Sequence, residues 1–452
     1  FLNGIQVISR LHTLGLSRSD LMNPETSMTS LNTNIQSALS GLPTQTVQYT
    51  GNDVDDLNQF LQNNTGKIVQ LTQDIQVYKN TNGSFGIIMV PSDTILDGNG
   101  HSLVMKAGYT EAPDVGVVLY VYKNGVIPST NCGVKNLSTD IPYVNSINVF
   151  SADNILLENN TLNNATKSGI MISDEYGSTV NGIIRGNTIN NVGDDAIAVY
   201  GNHSNLLIDS NRISGAKGFA GIAISCLQNG QQIRVDNETT GPHDIIVTGN
   251  VVSGCSGEAL YCIGSYKTYI TYNTLRDSIL EGVCLDSGCI GNYFAHNEVV
   301  NNGIAGGLPG VSIDNGIYNI VDSNNVYNNS CSGIKLVRTG LGNIIVNNIC
   351  TDNAYNQMGA KSSGIDIEPL AVETENLGYI DGLGSNWNVV LNNTVTGSHD
   401  FGVFIADDDT ANNGGSSCEN VIMYNKFSSA YTFGAADFSS MSSTVKNNIT
   451  LN

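Results

Sequence analysis

Basic residues are scarce in this chain: 19 Lys and Arg stand against 40 Asp and Glu among 452 residues, a net charge of −21. That balance argues against a nucleic-acid or anionic-membrane partner, since both need a cationic face. It also disfavours a polyanionic substrate unless calcium or a local Lys/Arg cluster intervenes. Long apolar runs are missing as well: no stretch of about 18 such residues occurs, so no segment has the pattern of a membrane-spanning helix. No signal peptide opens the chain; Phe1 is what a mature start would show, and a secreted or cell-surface location is the expectation. Nine Cys are scattered with no CxxC pair, an odd number that fits neither a zinc site nor a full disulfide framework. Several fall in apolar phrases, where a thiol packs as a small buried hydrophobe.

What the chain does have is a repeat. Eleven times between Asn160 and Asn447 an Asn stands two residues ahead of an apolar residue, as in Asn160-Thr161-Leu162, Asn187-Thr188-Ile189, Asn347-Asn348-Ile349 and Asn447-Asn448-Ile449. Most steps are 22 to 27 residues. A second phrase alternates with it: Gly or Ala, then apolar-x-apolar, as in Gly169-Ile170-Met171-Ile172 and Gly402-Val403-Phe404-Ile405. Period-two alternation buries the flanking apolar residues and turns the middle one outward. Short β-branched runs bounded by Gly, Ser and Asn, repeating at this length, predict a solenoid. The expected fold is all-β, a right-handed parallel β-helix of about 10–13 coils. The recurrent Asn is placed at a turn, where it tolerates left-handed geometry and its side chain can hydrogen-bond up the stack.

Residues 1 to about 50 do not repeat, and 1–66 are assigned to an N-terminal helical segment and cap, with 67–452 as the β-helix. Helices are expected at Ile5 to Leu16, Ser30 to Leu42 and Asp53 to Leu61, the last with Asn52 or Asp53 as N-cap. Lys67-Ile68-Val69-Gln70-Leu71 is the expected first strand. A helix followed by this strand pattern resembles the pectin-lyase-like superfamily of carbohydrate-active proteins over most of the chain. Many β-helices of that kind trimerise side by side, so the resemblance carries a homotrimer as an expectation. Insertions after the Gly-apolar-x-apolar strand, at Asp174 to Thr179, Cys226 to Pro242, Pro369 to Trp387 and Asp407 to Ser417, should emerge along one edge and wall a groove.

Alignment of the coils on their Gly or Ala puts Ser168, Asp195, Ala220, Glu258, Glu281, Pro309, Ser332 and Ser363 in one column. Glu258 and Glu281 would lie one coil apart, about 5 Å at the backbone, near the carboxyl spacing of retaining glycosidases. Like charges so close raise one pKa, giving an acid and a base or nucleophile. Gly193-Asp194-Asp195-Ala196-Ile197-Ala198-Val199 resembles the paired-aspartate strand of polygalacturonases. Ser168, Ala220, Tyr261 and Ile263 stand where that family has its further aspartate, its histidine and its Arg-x-Lys strand. The outer face of the same strand offers Tyr200, Tyr261, Asp286, Asp314, Lys335, Asp366 and Glu368, with Arg338 and Lys361 beside it. Trp387, the only tryptophan, could stack on a sugar ring. Gly241-Pro242-His243-Asp244 resembles the tail of the Asp-Pro-His-Asp stretch of mannuronan epimerases but lacks its first Asp.

These residues lead to a carbohydrate-active enzyme that cleaves or rearranges glycosidic bonds of a polysaccharide or oligosaccharide. It would be a glycoside hydrolase or an intramolecular glycosyl or fructosyl transferase, with no cofactor. The catalytic carboxylates are sought among Glu258, Glu281, Asp194, Asp195 and Asp286. Substrate contacts are assigned to Tyr200, Tyr261, Asp314, Lys335, Arg338, Asp366, Glu368 and Trp387. One alternative is a polysaccharide lyase holding Ca²⁺ through residues such as Asp286 and Asp314. The other is a non-catalytic glycan-binding, adhesin- or tailspike-like β-helix.

Overall fold

The computed structural model describes residues 22–78, 87–109, 114–119, 121–122, 126–127, 129–175, 177–228, 231–232, 241–353, 363–369, 384–406, 417–428, 433–438 and 443–451. The helix expected at Ile5 to Leu16, Lys361 and most of the insertions at Cys226 to Pro242, Pro369 to Trp387 and Asp407 to Ser417 lie outside these residues. Two compact units emerge. The N-terminal unit comprises Met28–Gln232 and Pro242–Val251; the C-terminal unit is mainly Val252–Asn452, with 22–27 and Gly241.

Each unit is built from three sheets of short parallel strands, and the chain visits the sheets in turn, as a right-handed parallel β-helix requires. In the N-terminal unit the first sheet extends from Thr46–Tyr49 to His243–Thr248, the second from Ile75–Val77 to Arg212–Ser214, and the third from Ile88–Met89 to Ile222–Ser225. In the C-terminal unit the first sheet extends from Tyr266–Thr271 to Thr444–Lys446. The second there extends from Thr274–Arg276 to Ile449–Leu451, and the third from Leu260–Ile263 to Phe433–Asp437. The parallel ladder begins at Thr46–Tyr49, which pairs with Lys67–Leu71, so Lys67 opens the second strand of the ladder and not its first. Only Tyr49 of that leading strand is buried, which hides the strand pattern in the sequence.

The N-terminal region holds two helices, the first of which acts as a cap. Pro24–Ala38 runs on into the 3-10 turn Leu39–Gly41 and buries Leu31 and Ile35. It starts earlier than expected because Pro24 suits a first helical position, and the Asn23 carbonyl accepts from Thr26 and Ser27 N–H. The second helix, Val54–Asn63, is capped by Asp53, whose Oδ1 accepts from Asp55 N–H at 3.0 Å. Its Val54, Leu57 and Leu61 are fully buried.

The repeat has a physical basis in buried asparagine. In the C-terminal unit Asn273, Asn297, Asn324, Asn348, Asn393, Asn425 and Asn448 form one ladder, each side-chain oxygen accepting from the amide and Nδ2 of the preceding member. Asn160, Asn187, Asn211 and Asn250 do the same in the N-terminal unit. A buried amide satisfied by four partners removes the cost of hiding turn backbone from water. The left-handed residue is the one just before each ladder Asn, such as Asn159, Ser210, Tyr272 or Asn347, and not the ladder Asn itself. Consequently the Asn-Asn pairs at 347–348 and 447–448 shift the expected phrase by one. Asn348 and Asn448 are the ladder members, and Cys350 is buried while Ile349 is 48% exposed. A second ladder, Asn292, Asn319, Asn343, Asn388 and Asn420, precedes the first-sheet strands.

The Gly of the other phrase is there because the core leaves no space. A Cβ on Gly402 would lie 2.2 Å from Phe427 Cδ1 and 2.3 Å from Gly434 O, and one on Gly364 2.1 Å from Val395 Cγ1. All nine Cys are buried thiols outside any disulfide, as expected of small core hydrophobes.

Candidate functional site

The third sheet of the C-terminal unit gathers most of the residues expected to carry chemistry. Register puts Tyr261, Cys284, Ser312, Lys335, Asp366 and Phe404 in one outward column. Asp314, Val337 and Glu368 form the next. Glu258 and Glu281 precede the strands in adjacent turns, with Ala259 N–H donating to Glu281 O at 3.2 Å.

Side-chain bonds then divide these groups by role. Tyr261 OH donates to Asp286 Oδ2 at 2.7 Å, and Asp286 Oδ1 accepts from Ser287 N–H at 2.6 Å and Ser287 Oγ at 2.5 Å. Arg338 Nη1 donates to Asp314 Oδ2 at 2.7 Å. Lys335 Nζ lies 2.7 Å from Glu368 Oε2 and 3.7 Å from Asp366 Oδ2, and Ser332 Oγ donates to the same Asp366 oxygen at 3.3 Å. Burial works against the Lys335 charge, but Asp366 and Glu368 outweigh it and hold the ammonium firmly protonated.

Carboxylates outnumber cations here, and the sheet surface is poorly solvated. Burial, with repulsion from Glu258, Asp314 and Asp286, pushes the Glu281 carboxyl up to about 7. Burial likewise raises Glu258, Asp314 and Asp366. Of these, Asp366 is 1% exposed and Glu258 6%, which withdraws both from direct contact with a substrate. Asp366 supports Lys335, and Glu258 supplies charge behind Glu281. Glu281, Asp286, Tyr261, Asp314 and Lys335 remain partly open to solvent. An acid near neutrality at the head of a strand whose last carboxylate three donors hold in place is equipment for general acid–base or nucleophilic catalysis.

The N-terminal unit holds the paired aspartates. Asp195 is fully buried; one oxygen accepts from Tyr200 OH and the other from Ala220 N–H at 2.9 Å. It ties neighbouring turns together and is not free to meet a substrate. Asp194 instead lines a cavity on the third sheet with Lys167, Asp174 and Tyr200. Burial and the adjacent Asp195 charge raise the Tyr200 phenol, keeping it a donor.

Trp387 is 46% exposed at the corner leading into the first sheet, and its Nε1 donates to the Glu419 carboxylate. No hydrogen bond joins it to the carboxylate cluster. His243-Asp244 opens a first-sheet strand, with His243 Nε2 3.9 Å from Asp244 Oδ2. Sequence reasoning missed Ser287 and Lys167, and placed Ser332 in the aligned column without giving it a role. Lys167 was legible: it lies one turn before Asp194, whose N–H donates to Lys167 O at 3.1 Å. Ser287 had no signal, since a Ser in a Gly-rich turn is unremarkable until its partner is known.

The family described as "Right handed beta helix region" matches residues 119–240. No curated protein matches the chain. Among solved structures, the A-module of the mannuronan C-5 epimerase AlgE4 of Azotobacter vinelandii is similar at 12% identity and a TM-score of 0.48. That likeness covers 89% of this chain and 98% of that one. PfbA, a surface adhesin of Streptococcus pneumoniae, is similar at 12% identity and a TM-score of 0.48, covering 86% of this chain and 88% of that one. The periplasmic alginate epimerase AlgG is similar at 12% identity and a TM-score of 0.46, covering 93% and 88%. The three parallel sheets and the matched β-helix region make the chain a right-handed parallel β-helix.

Proposed function

We propose that the protein is a carbohydrate-active enzyme that cleaves or rearranges a glycosidic bond at the carboxylate cluster of the C-terminal unit. The observation that carries this reading is Asp286, fixed by Tyr261 and Ser287 at the end of the strand Val283–Asp286 that Glu281 precedes, with burial raising the Glu281 carboxyl. Glu281 protonates the leaving oxygen. Asp286 acts from the same face of the sheet, as nucleophile or as base toward water, while Tyr261 and Ser287 hold its oxygens in place. Lys335 and Arg338 donate to substrate hydroxyls only through edges not occupied by Glu368 and Asp314.

A β-elimination reading is weaker on the same observations. Lys335 is too firmly protonated to serve as base. Among the described residues no group of three or more His, Cys, Asp or Glu is placed to hold a metal ion, and Arg338 already engages Asp314. Asp286 and Asp314, the carboxylates a calcium ion would need, are instead engaged by Tyr261, Ser287 and Arg338.

The test is a panel of neutral and uronate polysaccharides, following reducing ends and ultraviolet absorbance together. Product from a neutral glycan without absorbance, lost in Glu281→Gln and Asp286→Asn, is the expected result. Absorbance from a uronate polymer would replace the reading with a lyase, and silence across the panel with a glycan-binding protein.

A further inference from the structure

The third sheet of the N-terminal unit carries a cavity of about 530 Å³ that the chemistry above leaves unused. Asn148 and Met171 are paired in register at its floor, and Phe150, Ser173 and Tyr200 succeed one another over three turns at its rim. With about 4.8 Å between strands, Phe150 and Tyr200 are anchored about 10 Å apart at the backbone, with only a serine between them. Two aromatic side chains flanking a small polar one make a slot that suits a sugar ring, its C–H face against the rings and its hydroxyls toward polar groups.

Polar groups are in place. Asn148 is 5% exposed, and its Oδ1 has no hydrogen-bond partner. An unpaired buried acceptor costs about 1–3 kcal/mol, which a ligand hydroxyl donating to it would recover. Lys167 and Asp194, in adjacent turns, add a donor and an acceptor at the cavity wall. Three carboxylates, Asp174, Glu175 and Asp194, outnumber the single Lys167 around this space, so an acidic sugar is repelled.

We propose that this cavity is a binding site for a neutral saccharide, separate from the carboxylate cluster of the C-terminal unit. It needs no catalysis there, so it stands or falls independently of the glycosidase reading.

Calorimetric titration of the full chain carrying Glu281→Gln tests it, with cellohexaose, mannohexaose, xylohexaose and an inulin-type fructo-oligosaccharide against hexagalacturonate. At least one neutral oligosaccharide should bind, and hexagalacturonate should not. Adding Ser173→Trp, which fills the slot from a solvent-facing position, should weaken binding by roughly tenfold or more. Asp194→Ala should weaken it several-fold, and it decides the matter if the tryptophan variant fails to fold. Binding of none of the neutral sugars, tighter binding of hexagalacturonate, or affinity unchanged in the folded slot variants would overturn the proposal.

Discussion

At the scale of single residues, Glu281 couples function to stability. Its carboxyl has a usual value of 4.5 and sits at about 7 in the fold. A raised carboxyl binds its proton more tightly in the native state, so stability falls as pH rises from about 4.5 to about 7 and levels off above. Glu281→Gln keeps the shape and removes that loss. The variant should therefore be inactive yet more stable than the native protein at pH 8, by about 3 kcal/mol, and indistinguishable from it near pH 4. Thermal melts at the two pH values check this; equal melting at pH 8 would mean that Glu281 is well solvated. Native activity should decline on the alkaline side of about pH 7, as a required acid loses its proton. Asn324 makes the opposite case. It accepts from Asn297 and donates to Phe294 O at 3.0 Å and Asn348 Oδ1 at 2.9 Å. Asn324→Ala strands these buried groups and should cost about 2–4 kcal/mol in urea unfolding, at any pH.

At the scale of the strand, packing dictates the Gly that opens the apolar-x-apolar phrase of third-sheet strands, as at Gly364 and Gly402. Gly402→Ala drives a methyl into Phe427 and the Gly434 carbonyl, and should destabilise by about 2 kcal/mol or more. Ala259→Gly, where a methyl is already accommodated, should cost only about 0.5–1 kcal/mol. Equal losses at both positions, measured by thermal unfolding, would show that the second sheet yields to a methyl. The same steric rule explains why the fold was legible: each turn writes its Gly, its ladder Asn and its alternating apolar residues locally. Errors arose where the local signal is ambiguous, as in the Asn-Asn pairs, where two candidates compete for one ladder site. The candidate site was only half legible. Columns could be aligned from the repeat, and Tyr261, Asp286, Lys335 and Glu368 fell in the expected strip. Which carboxylates stay accessible could not be read, because Asp195 and Asp366 are withdrawn by bonds to side chains and backbone in other positions of the stack. Burial of a polar residue depends on those partners, and a single turn does not name them.

At the scale of the molecule, charge should select among substrates. With a net charge of −21, the protein repels polyanions over a distance set by the Debye length, about 10 Å at 0.1 M salt. Lys335 and Arg338, the cations of the same strip, are each paired with carboxylates, so neither offsets that repulsion for an incoming uronate. A neutral glycan feels no such barrier. Initial rates on a neutral substrate should be flat between about 20 and 300 mM NaCl, a range over which screening changes several-fold. Any residual action on polygalacturonate or alginate should start lower and rise with salt as repulsion is screened. A uronate rate that is high at low salt and falls as salt is added would mean that cations outside the described residues recruit the polymer. The neutral-substrate reading would then give way to one in which local positive charge overrides the net charge of the chain.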